Sequence, residues 1–295
     1  MLLSATLALA SRIAVADEAA LPAAPNRPIE STADQRYCDN DGKAGLCDVL
    51  SPTGPPPAEG YPAIIVVHGG GWMSGDKWTV EGYAKLLAKQ GFVVINMNYR
   101  LAPAFKFPSQ VDDVRAAMLW VKSSAKRWSI DLSRLGVFGY SAGGHLTALV
   151  ASLADEPIER QTAASDWPAS DERWKDLPKI RAICVGGPPC DFRTLPVDNT
   201  TLAYFLGGSR REKPGTYVAA SPTAHASPDD PVTQIIHGDN DIIVPIKTSK
   251  EFHAAQIAAG VDSRMQVMPG QGHMLTFLNP KTSEKVVEFF CDVLK

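Results

Sequence analysis

The chain has 295 residues, 45% of them hydrophobic and 21% charged, which is enough to bury a sizeable core in one large domain or two small ones. Its net charge of -3 is close to neutral for this length and argues against a nucleic-acid-binding protein or a polybasic membrane-surface protein. The five cysteines show no metal-site spacing.

Leu2 to Ala10 is apolar but too short to span a bilayer as a finished helix. Ala14-Val15-Ala16 before Asp17-Glu18 has the small-x-small form of a signal-peptidase site, although no basic stretch precedes the apolar run. A signal peptide over 1–16 is therefore expected, with the mature chain secreted or periplasmic and carrying no membrane anchor. Residues 17–60 read as an N-terminal leader, mobile over 17–36, with one short strand around Leu46 to Leu50; residues 61–295 read as one domain. Cys38 and Cys47 flank the turn-rich Asp39 to Gly45, and Cys184 and Cys190 flank Val185 to Pro189, so each pair suits a small disulfide loop. Cys291 falls on the apolar face of the last helix as a buried thiol.

Ala63-Ile64-Ile65-Val66-Val67 is a continuous β-branched run, the mark of a strand covered on both faces. It ends in His68-Gly69-Gly70-Gly71-Trp72. Val80 to Gln90 reads as helix and Phe92 to Met97 as strand. Val111, Val114, Met118 and Val121 recur at helical spacing after Pro108. Leu135 to Phe138 is a strand and Ala142 to Leu153 a small-residue helix. Strands follow at Ile180 to Val185, Thr233 to His237 and Arg264 to Met268, with helices over Lys247 to Ala259 and at the C-terminus. This alternation predicts an α/β fold: a mostly parallel central sheet with helices on both faces. Residues 155–178 and 191–230 break the rhythm, as loops that shape a binding site do and plain surface loops also do.

Gly139-Tyr140-Ser141-Ala142-Gly143 stands where a strand turns into a helix, the context in which Gly-x-Ser-x-Gly means a nucleophile elbow. There the backbone lifts the Ser141 hydroxyl out of the sheet, and the helix N-terminus faces any negative charge forming beside it. Gly69 to Gly71 would let backbone amides face a carbonyl oxygen; the phosphate-loop alternative fails because no Gly-Lys-Ser/Thr follows. Six histidines compete for the role of base. His68 braces the glycine loop, His145 packs or braces on the elbow helix, His237 ends a strand, His253 lies on a surface helix, and His225 falls in irregular chain. His273 sits between glycines after a strand, where a mobile imidazole could swing over Ser141. The carboxylate should lie between Ser141 and His273, which leaves Asp239, Asp241 and, less aptly placed, Asp191.

Together His68-Gly69-Gly70-Gly71-Trp72, Asn98-Tyr99-Arg100-Leu101-Ala102-Pro103, Gly139 to Leu146, His237-Gly238-Asp239-Asn240-Asp241 and Gly270-Gln271-Gly272-His273 resemble the α/β-hydrolase carboxylesterases. The feruloyl and acetylxylan esterase-like branch, related to the hormone-sensitive-lipase type, is the nearest in pattern. The resemblance runs from about Tyr61 to the C-terminus. It implies the α/β-hydrolase fold, with Ser141 as nucleophile, Asp241 as acid, His273 as base and the amides of Gly70, Gly71 and Ala142 as oxyanion hole. It implies a serine esterase that needs no metal or organic cofactor, acting on a small-molecule or polysaccharide-linked ester of acetyl, short acyl or feruloyl type. Hormone-sensitive-lipase relatives carry Asp before the serine, whereas this chain has Tyr140. An amide hydrolase (formamidase or peptidase) on the same fold, or a non-catalytic binding protein, would share part of the pattern.

Overall fold

The computed structural model describes residues 26–40, 42–197 and 199–295; the expected signal peptide, 1–16, lies outside them. Eight strands form one sheet: β1 (Ile29–Arg36), β2 (Leu46–Pro52), β3 (Tyr61–Val67), β4 (Val93–Met97), β5 (Ile130–Tyr140), β6 (Ala182–Gly186), β7 (Val232–Gly238) and β8 (Ser263–Met268). Their spatial order is β1-β2-β4-β3-β5-β6-β7-β8. β1 pairs antiparallel with β2, and β2 with β4; every other pairing is parallel. The expected α/β architecture is the one the chain adopts.

Among the described residues ten α-helices complete the layers: α1 (Glu81–Lys89), α2 (Ser109–Trp128), α3 (Ala142–Leu153), α4 (Ile158–Ala163), α5 (Arg173–Asp176), α6 (Thr200–Leu206), α7 (Pro214–Ala219), α8 (Ile246–Ala259), α9 (His273–Leu278) and α10 (Pro280–Leu294). Alternation along β3 divides its side chains between two cores. Ala63, Ile65 and Val67 join α2 and α3 on one face, while Ile64 and Val66 join α1 and α10 on the other. The two helical layers explain why β3 and β4 are apolar at nearly every position.

Three sequence expectations are corrected. Residues 29–36, read as mobile leader, form the edge strand β1, whose side chains are mostly exposed or half-buried. A strand packed on so little carries no apolar alternation to read. All five cysteines are free thiols. Cys184 belongs to the core on the α1 and α10 face and Cys190 to the core on the opposite face, so the sheet itself separates that expected pair; Cys38 and Cys47 are likewise unlinked. Cys291 is half-buried rather than buried.

Candidate active site

The chain leaves β3 towards β4 on one side and leaves β5 towards β6 on the other, so the C-terminal ends of β3 and β5 flank a topological switch point. The glycine loop and Ser141 both lie there. Ser141 has φ 55° and ψ −121°, a conformation costing on the order of 1–3 kcal/mol in a residue with a side chain. Close packing holds it. A Cβ on Gly139 would lie 2.2 Å from the Gly143 carbonyl oxygen, and one on Gly143 would lie 2.1 Å from that of Val67. The Ser141 amide donates to the Gly186 carbonyl at 2.7 Å, and its own carbonyl accepts from the His145 amide at 2.9 Å. Although Ser141 occupies the N-cap position of α3, its hydroxyl makes no capping bond, which leaves the oxygen available to the cavity in front of it.

After β3 the backbone turns through Gly70 (φ 115°) and Gly71 (φ 60°), and a Cβ on Gly70 would lie 2.1 Å from the Ser74 carbonyl oxygen. Only glycine fits such a turn. Trp72 follows, also left-handed at φ 62°, and is held by aromatic packing. Its ring stacks on Phe205 at 4.4 Å and meets Phe192 and His145 edge-on. Trp72 Nε1–H donates to His145 Nδ1 at 3.1 Å, so His145 must carry its proton on Nε2, which faces the Ala220 carbonyl at 2.8 Å. His145 therefore braces the glycine loop against α3 and α7. Burial pushes its pKa down to about 4, which keeps it neutral.

Asp241 and His273 come together behind the cavity. His273 Nδ1 lies 2.5 Å from Asp241 Oδ2, and both residues are buried. The other carboxylate oxygen, Oδ1, accepts from the amides of Ile243 at 2.9 Å and Val244 at 2.8 Å. His237 Nε2 approaches Oδ2 at 3.2 Å from the opposite side. Burial alone would raise the Asp241 pKa, but the bonds from His237, His273 and Val244 outweigh it and hold the carboxyl well below the usual range. His273 is not a swinging loop residue. It opens the short helix α9, and its backbone carbonyl accepts from the Tyr140 hydroxyl at 2.7 Å. Its ring lies over Gly187, where a Cβ would be 3.0 Å from Cε1. Asp239 takes a different partner: its Oδ1 accepts from the Gly270 amide at 2.6 Å. Asp191 is held by Arg193 at 2.6 Å.

The other histidines stay with the scaffold. His68 Nδ1 contacts the Gly69 carbonyl and its ring stacks on Tyr99. His225 contacts the Ala219 carbonyl, and His253 contacts Ser263 Oγ. Reading the sequence missed what His237 and the Tyr140 hydroxyl touch. The signal for His237 was its i,i+4 spacing to Asp241 across a tight turn; no local pattern marks Tyr140.

Ser141, Ala142, His273 and Gly69 to Gly71 line one cavity of about 710 Å³. The far wall comes from the 191–230 stretch, through Leu195, Pro196, Asn199 and Leu202, and from Ile243, Pro245 and Phe277. Among the described residues lining it none is Asp, Glu, Lys or Arg. The 155–178 stretch lies elsewhere, tied to α2 by Ser165 and the Asp166 amide on Asp112 and by Arg115 on the Ala164 carbonyl. Among the described residues no group of His, Cys, Asp and Glu could hold a metal, and no helix is long and apolar enough to cross a membrane.

Comparison with known proteins agrees with this fold. The BD-FAE family model matches residues 47–256, most of the chain, spanning Ser141 and Asp241 but ending before His273. Esterase LipC of Mycobacterium tuberculosis is 29% identical over 238 residues, covering 76% of this chain and 55% of its own. Esterase LipQ of the same organism is 26% identical over 282 residues, covering 93% and 64%. The chain thus spans between 55% and 64% of the length of these curated relatives. Among solved structures, a truncated carbohydrate esterase from gut microbiota superposes with a TM-score of 0.79 at 26% identity, covering 92% of this chain and 98% of the other. A propionate-bound esterase of Thermogutta terrifontis, at 24% identity, superposes with a TM-score of 0.71 over 92% and 96%. The sheet order, the turn at Ser141 and these matches together place the chain in the BD-FAE family, with the α/β-hydrolase fold that its motifs led us to expect.

Proposed function

We propose that this chain is a serine carboxylesterase that hydrolyses uncharged carboxylic esters through an acyl-enzyme on Ser141. The carrying observation is that Ser141, His273 and the glycine loop face one cavity while Asp241 holds His273 from behind. With Nδ1–H directed at Asp241, the His273 Nε2 lone pair takes the Ser141 proton as Oγ attacks the ester carbonyl. The carbonyl oxygen becomes an oxyanion beside the amides of Gly70, Gly71 and Ala142, which have no other acceptor among the described residues. Collapse breaks the bond to the alcohol oxygen, which leaves with the proton returned from His273. Water then adds to the acyl carbon as it gives a proton to His273, and collapse breaks the bond to Ser141 Oγ, which takes that proton back from His273 as the acid leaves. The chemistry needs no metal or organic cofactor.

The uncharged wall supports acetyl, short acyl or feruloyl esters, free or linked to a polysaccharide; the similarity to a carbohydrate esterase points the same way. The small-x-small site before Asp17 supports export, so the protein recovered from its native source should begin at Asp17 by N-terminal sequencing. A fluorophosphonate should label Ser141, and Ser141→Ala should abolish labelling and leave only roughly 10³–10⁴-fold acceleration over water. A variant that retained more than about a twentieth of wild-type kcat on p-nitrophenyl acetate would overturn the mechanism, since removal of a triad nucleophile costs orders of magnitude more.

A further inference from the structure

His237 is fully buried at the end of β7, and every polar atom of its ring is engaged. Nε2 lies 2.9 Å from the Val244 carbonyl and 3.2 Å from Asp241 Oδ2. Both neighbours can only accept, so Nε2 carries a proton and shares it between them. Nδ1, left without a proton, accepts from the Ser249 hydroxyl at 2.7 Å. That anchor fixes the ring plane from α8. The same carboxylate oxygen therefore has two imidazole partners, His273 at 2.5 Å on the cavity side and His237 at 3.2 Å on the buried side. The ionisable groups facing Asp241 are His237 from β7, His273 from α9 and Tyr140 from β5.

We propose that His237 is a positioning residue for the esterase reaction, which orients Asp241 towards His273 and, by sharing Oδ2, limits how strongly Asp241 holds the imidazolium. This rests on the serine-esterase reading above. A carboxylate oxygen that accepts two N–H groups presents less charge to each than one that accepts a single N–H. Removing the His237 bond leaves Asp241 freer to turn and a stronger partner for protonated His273. Two effects follow. Turnover falls because Asp241, freer to turn, orients the base less well, and more acid-inhibited enzyme accumulates at a given pH because the protonated base is better stabilised.

The test compares His237→Phe, which keeps a ring and loses the donor, with His237→Gln, whose amide nitrogen reaches the position of Nε2. On p-nitrophenyl acetate, His237→Phe should lower kcat about tenfold with KM little changed. The acid limb of its kcat/KM profile should move up by about half a pH unit. His237→Gln should restore both. If His237→Phe left the acid limb and kcat in place, or if Gln and Phe behaved alike, His237 would serve packing only. Should His237→Phe not fold, Ser249→Ala releases the same ring from its α8 anchor and should move the limb in the same direction; an unmoved limb there overturns the proposal equally. Ser141→Ala separates the two claims. Turnover surviving in Ser141→Ala removes the serine-esterase reading itself, whereas an unmoved limb with Ser141→Ala inactive removes only the role of His237.

Discussion

Asp230 lies just before β7 and Asp241 just after it, so one strand carries a buried carboxylate beyond each end. Burial pushes both pKa values up, yet the outcomes are opposite. At Asp230 burial dominates and Asp155 adds like charge, while the bonds from Ser227, Gln256 and Ser152 only partly compensate; its pKa rises to about 6. At Asp241 two backbone amides and two imidazoles offset the burial, and the carboxyl is held well below the ordinary range. The number and kind of donors, not burial, decide whether a buried carboxylate stays charged. The C-terminal end of the sheet has those donors because its loops turn back on themselves there.

The largest expected break in this comparison is in activity. Asp241→Asn should lower kcat on the order of 10⁴-fold, because an amide can present a donor to Nδ1 and disfavour the tautomer that leaves Nε2 able to accept. Asp230→Asn, at the other end of β7, should leave kcat unchanged. Steady-state kinetics on both variants checks it, and comparable losses would mean that the strand end does not matter.

Stability should separate the same two residues with opposite slopes in pH. The folded pKa of Asp230 lies above the unfolded value of about 3.9, so the native state binds more protons between about pH 4 and 6, and stability falls as pH rises through that window. Asp230→Asn removes that loss. It should match wild type below about pH 4 and exceed it by about 1–3 kcal/mol, a few degrees in Tm, above about pH 7. Asp241 has the reverse sign: its depressed folded pKa gives stability that is present above about pH 4 and lost as pH falls through the folded value. Melting curves of Asp230→Asn across pH 4 to 8 that ran parallel to wild type would show that burial does not raise Asp230.

Much of this arrangement is legible in the sequence, for physical reasons that also mark where reading stops. Ile64 to Val67 could only be a central strand, and the glycines around Ser141 announce a crossing too tight for a Cβ; the structure puts such an atom within 2.2 Å of backbone oxygen at Gly139. Ser141, His273 and Gly69 to Gly71 were readable as candidates because each follows a recognisable strand. What escaped depends on tertiary contacts. β1 is a polar edge strand with no apolar face to betray it, and α4 to α7 are too short for helical period to appear. Of the two irregular stretches, only 191–230 reaches the cavity, and nothing local distinguishes it from 155–178, which instead satisfies the buried Asp112 and Arg115 of α2. The expected disulfides were sequence-local arguments that the two faces of the sheet override for Cys184 and Cys190.

The smallest effect belongs to Asp239, the carboxylate that shares a turn with Asp241 and is exposed where Asp241 is buried. Its Oδ1 accepts from the Gly270 amide at 2.6 Å, and its own amide donates to the Met268 carbonyl at 3.3 Å. Both partners lie at the end of β8, so Asp239 ties the turn after β7 to the turn that leads into His273. It does so through backbone that any acceptor could engage, and solvent competes for the bond. Asp239→Ala should therefore cost about 1 kcal/mol, roughly 2 °C in Tm. Asp239→Asn keeps a neutral acceptor and should cost less. Neither should change kcat by more than about twofold, because the Asp241–His273 bond does not pass through residue 239. Kinetics and melting temperatures of Asp239→Asn beside Asp241→Asn decide the assignment. A loss of turnover in the first with an active second would move the acid to Asp239, and with it the support of His273 from the buried side of the turn to the exposed one.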